Sequence, residues 1–291
     1  MSNNPFLKRA NEQHEYTPDQ LLELKKCSED VVYFVSKYCK IQHPVRGEIP
    51  FKLYPYQINM LRTFAGERLT VVLSARQTGK SQTSAAFLLW FAMFHFDKTI
   101  MIASNKNDNA MEMILRIRFM YERMPHWLKP GVNDDGWNKH NIGFDNGSRI
   151  VSTATSENSG RGMSISMLFL DEFAFVRDTV QMEFWTSMAP TLATGGSCII
   201  CSTPNGDTNL FAQTWRGAVL EVNGFKAIRV RWDEPPGRDE KFKQQETAKI
   251  GEIRWKQEYE CCRFNTEVQV QDEHGNILSL QIKELYDLLN Q

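Results

Sequence analysis

The sequence predicts an α/β fold in which a mostly parallel sheet is flanked by helices, with a short β-rich appendage at the C-terminus. Three observations carry that prediction. Short β-branched runs alternate with longer stretches of helical period, a Gly-Lys-Ser turn joins one run to the helix after it, and another run ends in two adjacent acids. Residues 1–45 read as a polar lead and a single helix over "TPDQLLELKKCSEDVVYFVSKYC", opened by Thr17 with Pro18 behind it. Then come "RLTVVLSA" as a strand, "GKSQTSAAFLLWFAMF" as a helix, "KTIMIAS" as a strand and "NKNDNAMEMILRIRFMYERM" as a helix with an apolar stripe. In "NIGFDNGSRIVSTAT" the pair Asn146-Gly147 sits between two alternating runs, which signals a hairpin. "SMLFLDEFAFV", "GSCIICSTP" and "FKAIRVRW" supply three more strands, and "WDEPPGRDEKFKQQETAKIGEIRWKQEYE" returns to charged helix after a Pro-Pro-Gly turn. After Glu260 the character changes to short Gln/Asp/Glu-rich alternation, a turn at His274-Gly275-Asn276 and a small helix over "LQIKELYDLLN". The expected domains are therefore 1–45, 46–260 and 261–291.

Composition sets limits on function. The chain has 291 residues, 42% hydrophobic and 24% charged, enough for one large core and a small appendage. A net charge of −1 does not mark the whole chain as a polyanion binder, so nucleic-acid contact needs another argument. Six cysteines and a polar start, "MSNNPFLKRANEQHEYTPDQ", fit a reducing cytoplasm. Cys198 and Cys201 form C-x-x-C inside the apolar run "SCIICS", where they read as small hydrophobes of a buried strand. The longest apolar run, "SAAFLLWFAMFHF", is too short for a membrane span and reads as a core helix.

The chemistry centres on "SARQTGKS", the eight residues Ser74, Ala75, Arg76, Gln77, Thr78, Gly79, Lys80 and Ser81. A loop that follows a strand and opens a helix presents backbone amides to phosphate. Lys80 reaches the β and γ groups, and the Ser81 hydroxyl binds Mg²⁺. Ser74 stands where such loops usually begin with glycine. In "SMLFLDEFAF" the acids fall at the carboxyl end of a buried strand, where ligands of open α/β sheets bind. Asp171 is expected to hold the metal shell and Glu172 to orient and deprotonate the attacking water. Gln57, with Tyr54 and Tyr56 in "YPYQ", is expected to read the adenine edge while a ring stacks on its face. Ser202, Thr203 and Asn205 in "STPNG" are expected to sense the γ-phosphate.

Together "SARQTGKS", "LDEFAF", the upstream "YPYQ", "SGRGMS" and "STPNG" resemble the ATPase half of a tailed-phage large terminase subunit over about residues 45 to 260. That resemblance implies a P-loop NTPase with an additional strand between the phosphate loop and the acidic strand, and it implies ATP and Mg²⁺ as cofactors. It further implies a motor that works in the host cytoplasm. Its implied partners are a portal protein, a small terminase subunit and double-stranded DNA, engaged by a ring of copies. Arg76, matching the family's loop arginine, would act as an arginine finger. The family's nuclease half is expected to be absent, since nothing after 260 carries its acids. Two rival readings use the same residues: a helicase-like P-loop ATPase, and a DNA-binding assembly factor with a degenerate nucleotide site.

The tail "CCRFNTEVQVQDEHGNILSLQIKELYDLLNQ" resembles the N-terminal fragment of a split intein, through Cys261, Thr266 and Val268. Cys261 would be its first residue and catalytic nucleophile, with Cys262 the rival, and its partner would be an intein C-fragment carrying the nuclease half. The competing reading is a terminase truncated in its interdomain linker, without an intein.

Overall fold

A computed structural model describes residues 4–133, 136–156, 159–160, 162–261, 267–271 and 277–281. The N-terminal helix is two helices, α1 (Pro18–Glu29) and α2 (Val31–Tyr38). A capping box opens α1: Gln20 N–H donates to Thr17 Oγ1, and Thr17 N–H donates to the Gln20 side chain. The expected continuous helix breaks at Asp30, whose carboxylate accepts from Val32 N (2.8 Å) and Tyr33 N (3.1 Å) and so caps α2. Glu23 then ties the two helices, accepting from Tyr33, Lys37 and Tyr38. A hairpin of β1 (Lys40–His43) and β2 (Gly47–Pro50) straddles the boundary expected at residue 45, and α3 (Pro55–Gly66) follows.

The body is one seven-stranded sheet built from β3 (Leu69–Ser74), β4 (Thr99–Ser104), β5 (Asn141–Gly143), β6 (Arg149–Ala154), β7 (Met167–Asp171), β8 (Ser197–Ser202) and β9 (Lys226–Val230). Its order is β5-β6-β4-β7-β8-β3-β9, parallel throughout except for the edge strand β5. The additional strand is β8, inserted between the acidic strand β7 and the loop strand β3. Pairing sets Asp171 opposite Cys201 and Leu73 opposite Ser202, so the ends of β3, β7 and β8 meet at one edge.

Between the strands run α4 (Lys80–Phe94), α5 (Asn107–Glu122), α6 (Asp178–Ala193) and α7 (Leu210–Val219). Apolar residues surround α4 on every side, and eleven of its fifteen residues are buried. One core cluster joins α2 to α5 with one face of the sheet, and a second joins α6 and α7 with the other. At the β5–β6 turn Gly147 takes φ +80°, and an added Cβ would collide with Asp97 Oδ1, so the Asn-Gly signal reflects both conformation and space.

After β9 come α8 (Glu240–Ile250) and α9 (Glu252–Trp255), separated at Gly251, and a π-turn over Lys256–Glu260. Trp232, Phe242, Trp255 and Tyr259 stack into one aromatic cluster beneath them. The tail contributes β10 (Glu267–Gln271) and β11 (Ile277–Gln281), paired antiparallel with each other and, among the described residues, with no strand of the large sheet. The expected turn at 274–276 lies outside the described residues. The helix expected over 280–290 is displaced at its start, where Leu280 and Gln281 belong to β11, and its remainder lies outside the described residues. No helix among the described residues is long and apolar enough to cross a membrane.

Candidate nucleotide site

The loop between β3 and α4 is held from beneath by its own side chains. The hydroxyls of Ser74 and Thr78 lie 2.6 Å apart, and both reach the carbonyl of Ala75. Ser74 is thus a working part of the loop's frame, where a glycine would leave Thr78 without that partner. Gln77 and Gly79 are both left-handed, at φ +57° and +78°. At Gly79 an added Cβ would sit 2.8 Å from Gln57 Nε2, so the chain there needs glycine for its conformation and for its close approach to α3. The loop meets the N-terminus of α4, where unpaired amides and the helix dipole favour an anion.

Across the edge, Lys80 Nζ donates to Glu172 Oε1 at 2.6 Å, joining loop and acidic strand across 92 positions of sequence. Glu172 is itself left-handed, at φ 50°. Its other oxygen accepts from Ser202 Oγ and Thr203 N–H, both at 3.3 Å. Asn205 donates to the carbonyl of Ala174. Of the residues expected to sense γ-phosphate, Ser202 and Thr203 bond Glu172 directly, and Asn205 bonds the turn after it. Asp171 is buried, with Oδ1 lacking a hydrogen-bond partner among the described residues. Burial, with the neighbouring Glu172 charge adding to it, pushes its carboxyl up to about 6 despite Lys80. An orphaned hard oxygen in that position, with the Ser81 hydroxyl at the start of α4, suits a small divalent cation that takes its remaining ligands from phosphate and water.

Gln57 lies against the loop, at the start of α3. Its side chain is buried, Oε1 accepts from Tyr54 N–H (3.0 Å), and Nε2 points to the Thr78 carbonyl (3.4 Å). Tyr56 donates its hydroxyl to the same carbonyl at 2.9 Å. Both residues contact the loop between β3 and α4 at the same carbonyl. The Tyr54 ring, stacked on Tyr56 at 5.8 Å, stays exposed.

Arg76 projects toward the C-terminal segment, its Nε 3.2 Å from Glu258 Oε2 and its amide bonded to the Glu258 carbonyl. Arg238, missed by sequence reasoning, donates from Nη1 to the Arg76 carbonyl (3.0 Å) and from Nη2 to the Gln77 carbonyl (2.7 Å). The Pro-Pro-Gly turn before it was legible, but its contact spans 162 positions and leaves no local pattern. Cys198 and Cys201 are buried within β8, and burial pushes both thiols far up, as expected of small hydrophobes. Cys261 packs into the second core cluster at φ 54°, whereas Cys262 and Thr266 lie outside the described residues.

The family model for the terminase large subunit, T4likevirus-type, N-terminal, matches residues 71–281, running across the boundary expected at 260. Among solved structures the chain is similar to the large terminase ATPase domain of Thermus phage P74-26, at 19% identity and TM-score 0.60 over 72% of this chain and 94% of that one. It is similar to the large terminase of bacteriophage HK97, at 18% identity and TM-score 0.65 over 83% of this chain and 56% of that one. It is also similar to the large terminase of a thermophilic bacteriophage, solved in complex with ATP-gamma-S, at 12% identity and TM-score 0.57 over 74% of this chain and 54% of that one. At these identities the likeness is one of fold. The chain spans little more than half the length of the latter two proteins.

Proposed function

Because the chain belongs to the T4likevirus-type family of terminase large subunits through their N-terminal part, we propose that its α/β domain is the ATP-hydrolysing half of a DNA-packaging motor. The observation that carries this reading is the Lys80–Glu172 contact at 2.6 Å, which brings the ammonium of the loop's lysine and a carboxylate together at one edge of the sheet. ATP entering the loop draws Lys80 from Glu172 to the β and γ phosphates. Glu172, still gripped on its second oxygen by Ser202 and Thr203, then accepts the proton of a water aligned with the γ-phosphorus. Ser81 and Asp171 would hold a Mg²⁺ ion, whose charge offsets that of the β and γ oxygens. Arg76 exchanges Glu258 for the γ-phosphate as negative charge develops there. The exposed Tyr54 ring stacks on the base while Gln57 keeps the loop in register. Portal protein, small subunit and double-stranded DNA are the partners of this motor, which acts as a ring in the host cytoplasm. Phosphate release by the purified full chain with ATP and Mg²⁺ tests the reading. Activity lost in Lys80→Ala supports it, and a chain that binds no ATP refutes it.

The tail is a second element of the proposal: residues 261–291 act as a split-intein N-fragment. Support comes from a hairpin that, among the described residues, pairs only with itself, and from a junction where Cys261 follows Glu260 in a left-handed, non-glycine conformation. The Cys261 thiolate attacks the Glu260 carbonyl carbon, the C–N bond breaks, the Cys261 amine takes a proton, and an amide becomes a thioester. The first nucleophile of the nuclease half, still joined to a separate C-fragment, then takes the acyl group and releases the Cys261 thiol; cyclisation of the C-fragment's last asparagine breaks its bond to the nuclease half, whose freed amine takes the acyl group as an amide to Glu260.

A further inference from the structure

We infer that Arg238 is a positioning residue for the phosphate loop, through which the C-terminal segment 231–260 sets the loop's affinity for nucleotide phosphates. The inference rests on the nucleotide-binding reading above. A phosphate loop works only while its amides point inward, so its carbonyls must point outward and need donors there. Arg238 supplies them. Its two terminal nitrogens take the carbonyls of two consecutive residues, Arg76 and Gln77, at 3.0 and 2.7 Å, and Nη1 also reaches the Trp232 carbonyl at 3.3 Å. A planar fork fixes two neighbouring peptide planes together in a way that a single ammonium does not.

The residue between those planes is Gln77, which sits at φ +57°, where a side chain other than glycine is disfavoured. Without the fork, Gln77 relaxes toward negative φ, and the following amide turns with it. Arg238 itself is held half-buried from the other side, its guanidinium 5.2 Å above the Phe242 ring and 5.9 Å from that of Tyr259. Those rings belong to the aromatic cluster with Trp232 and Trp255, so the loop's outer carbonyls are fastened to the segment leading to Cys261. Arg76 N–H donates to the Glu258 carbonyl of the same segment. Docking of that segment and readiness of the loop are therefore one structural state.

The test titrates the full chain with a fluorescent ATP analogue, comparing wild type with Arg238→Ala, Arg238→Lys, Gln77→Gly and the pair Arg238→Ala/Gln77→Gly. Loss of two charge-assisted hydrogen bonds should weaken binding at least ~10-fold in Arg238→Ala. Arg238→Lys keeps a cation over the Phe242 ring and the segment docked, yet should still bind about threefold more weakly, because it lacks the fork. Gln77→Gly adopts positive φ freely and should restore about fivefold of the affinity lost in Arg238→Ala. A merely structural tether predicts no such rescue. Unchanged affinity in Arg238→Ala, or a loss that Gln77→Gly leaves untouched, overturns the inference while the nucleotide site stands. A wild-type chain that binds no ATP overturns the functional reading itself.

Discussion

Replacing Glu172 by glutamine should separate hydrolysis from binding, and the two should move in opposite directions. Lys80 is held by Glu172 at 2.6 Å, with Lys80 9% and Glu172 27% exposed at their side chains. In Glu172→Gln the Lys80 ammonium keeps a hydrogen bond to an amide oxygen and loses only the attraction of the opposite charge. Allowing for the solvent that reaches Glu172, the difference is about 1 kcal/mol. ATP must overcome that contact to recruit Lys80, so Glu172→Gln should bind ATP about fivefold more tightly. Loss of the general base should slow hydrolysis at least ~10²-fold. Equilibrium titration with a fluorescent ATP analogue measures the first effect, and single-turnover hydrolysis measures the second. An unchanged rate would remove Glu172 from the role of base. Weaker binding would refute the competition between Glu172 and phosphate for Lys80.

Gly79→Ala forces a Cβ to within 2.8 Å of Gln57 Nε2 at φ +78°, a strain of about 1–2 kcal/mol, and should weaken ATP binding about tenfold; equal affinity in the same titration counts against the loop geometry. The Glu23 carboxyl is held down at about 2, first by the hydrogen bond from Lys37 and further by Tyr33 and Tyr38. Its stabilising contribution is complete above the ordinary value of 4.5 and is lost as pH falls through 2, so Glu23→Gln should lower Tm at pH 6 and lose that deficit progressively toward pH 2. A Tm difference independent of pH would contradict the assignment. For the tail, Cys261→Ala should abolish partner-dependent, thiol-induced release of a fragment ending at Glu260, while Cys262→Ala should retain it at least in part. Mass spectrometry reads the fragment, and the opposite pattern moves the junction by one residue.

Sequence by itself determined the elements whose signals are local. A β-branched run, a Gly-Lys-Ser turn and a helix lie contiguous in the chain, so the phosphate loop was legible as a unit, and so were Asp171 and Glu172 at the end of an apolar run. The hairpin at Asn146-Gly147 was legible for the same reason, since a turn and its two strands are neighbours. The break at Asp30 shows the limit of periodicity even locally: the apolar spacing continues across it, and a short side chain that bonds two amides just beyond it ends one helix and begins another. Tertiary structure decided which strand separates the loop from the acids, because parallel pairing of β8 with both β3 and β7 joins segments far apart in sequence. It also decided what the polar side chains do. Gln57 reads as a base-recognition residue, and packing of α3 against the loop adds a contact from its amide to the buried Thr78 carbonyl that no local pattern announces. Ser202 and Thr203 read as phosphate sensors, and the fold adds that β8 sets both against Glu172. Arg238 has no local signature, since its acceptors are backbone carbonyls that every residue carries, and only the fold brings those of Arg76 and Gln77 within its reach.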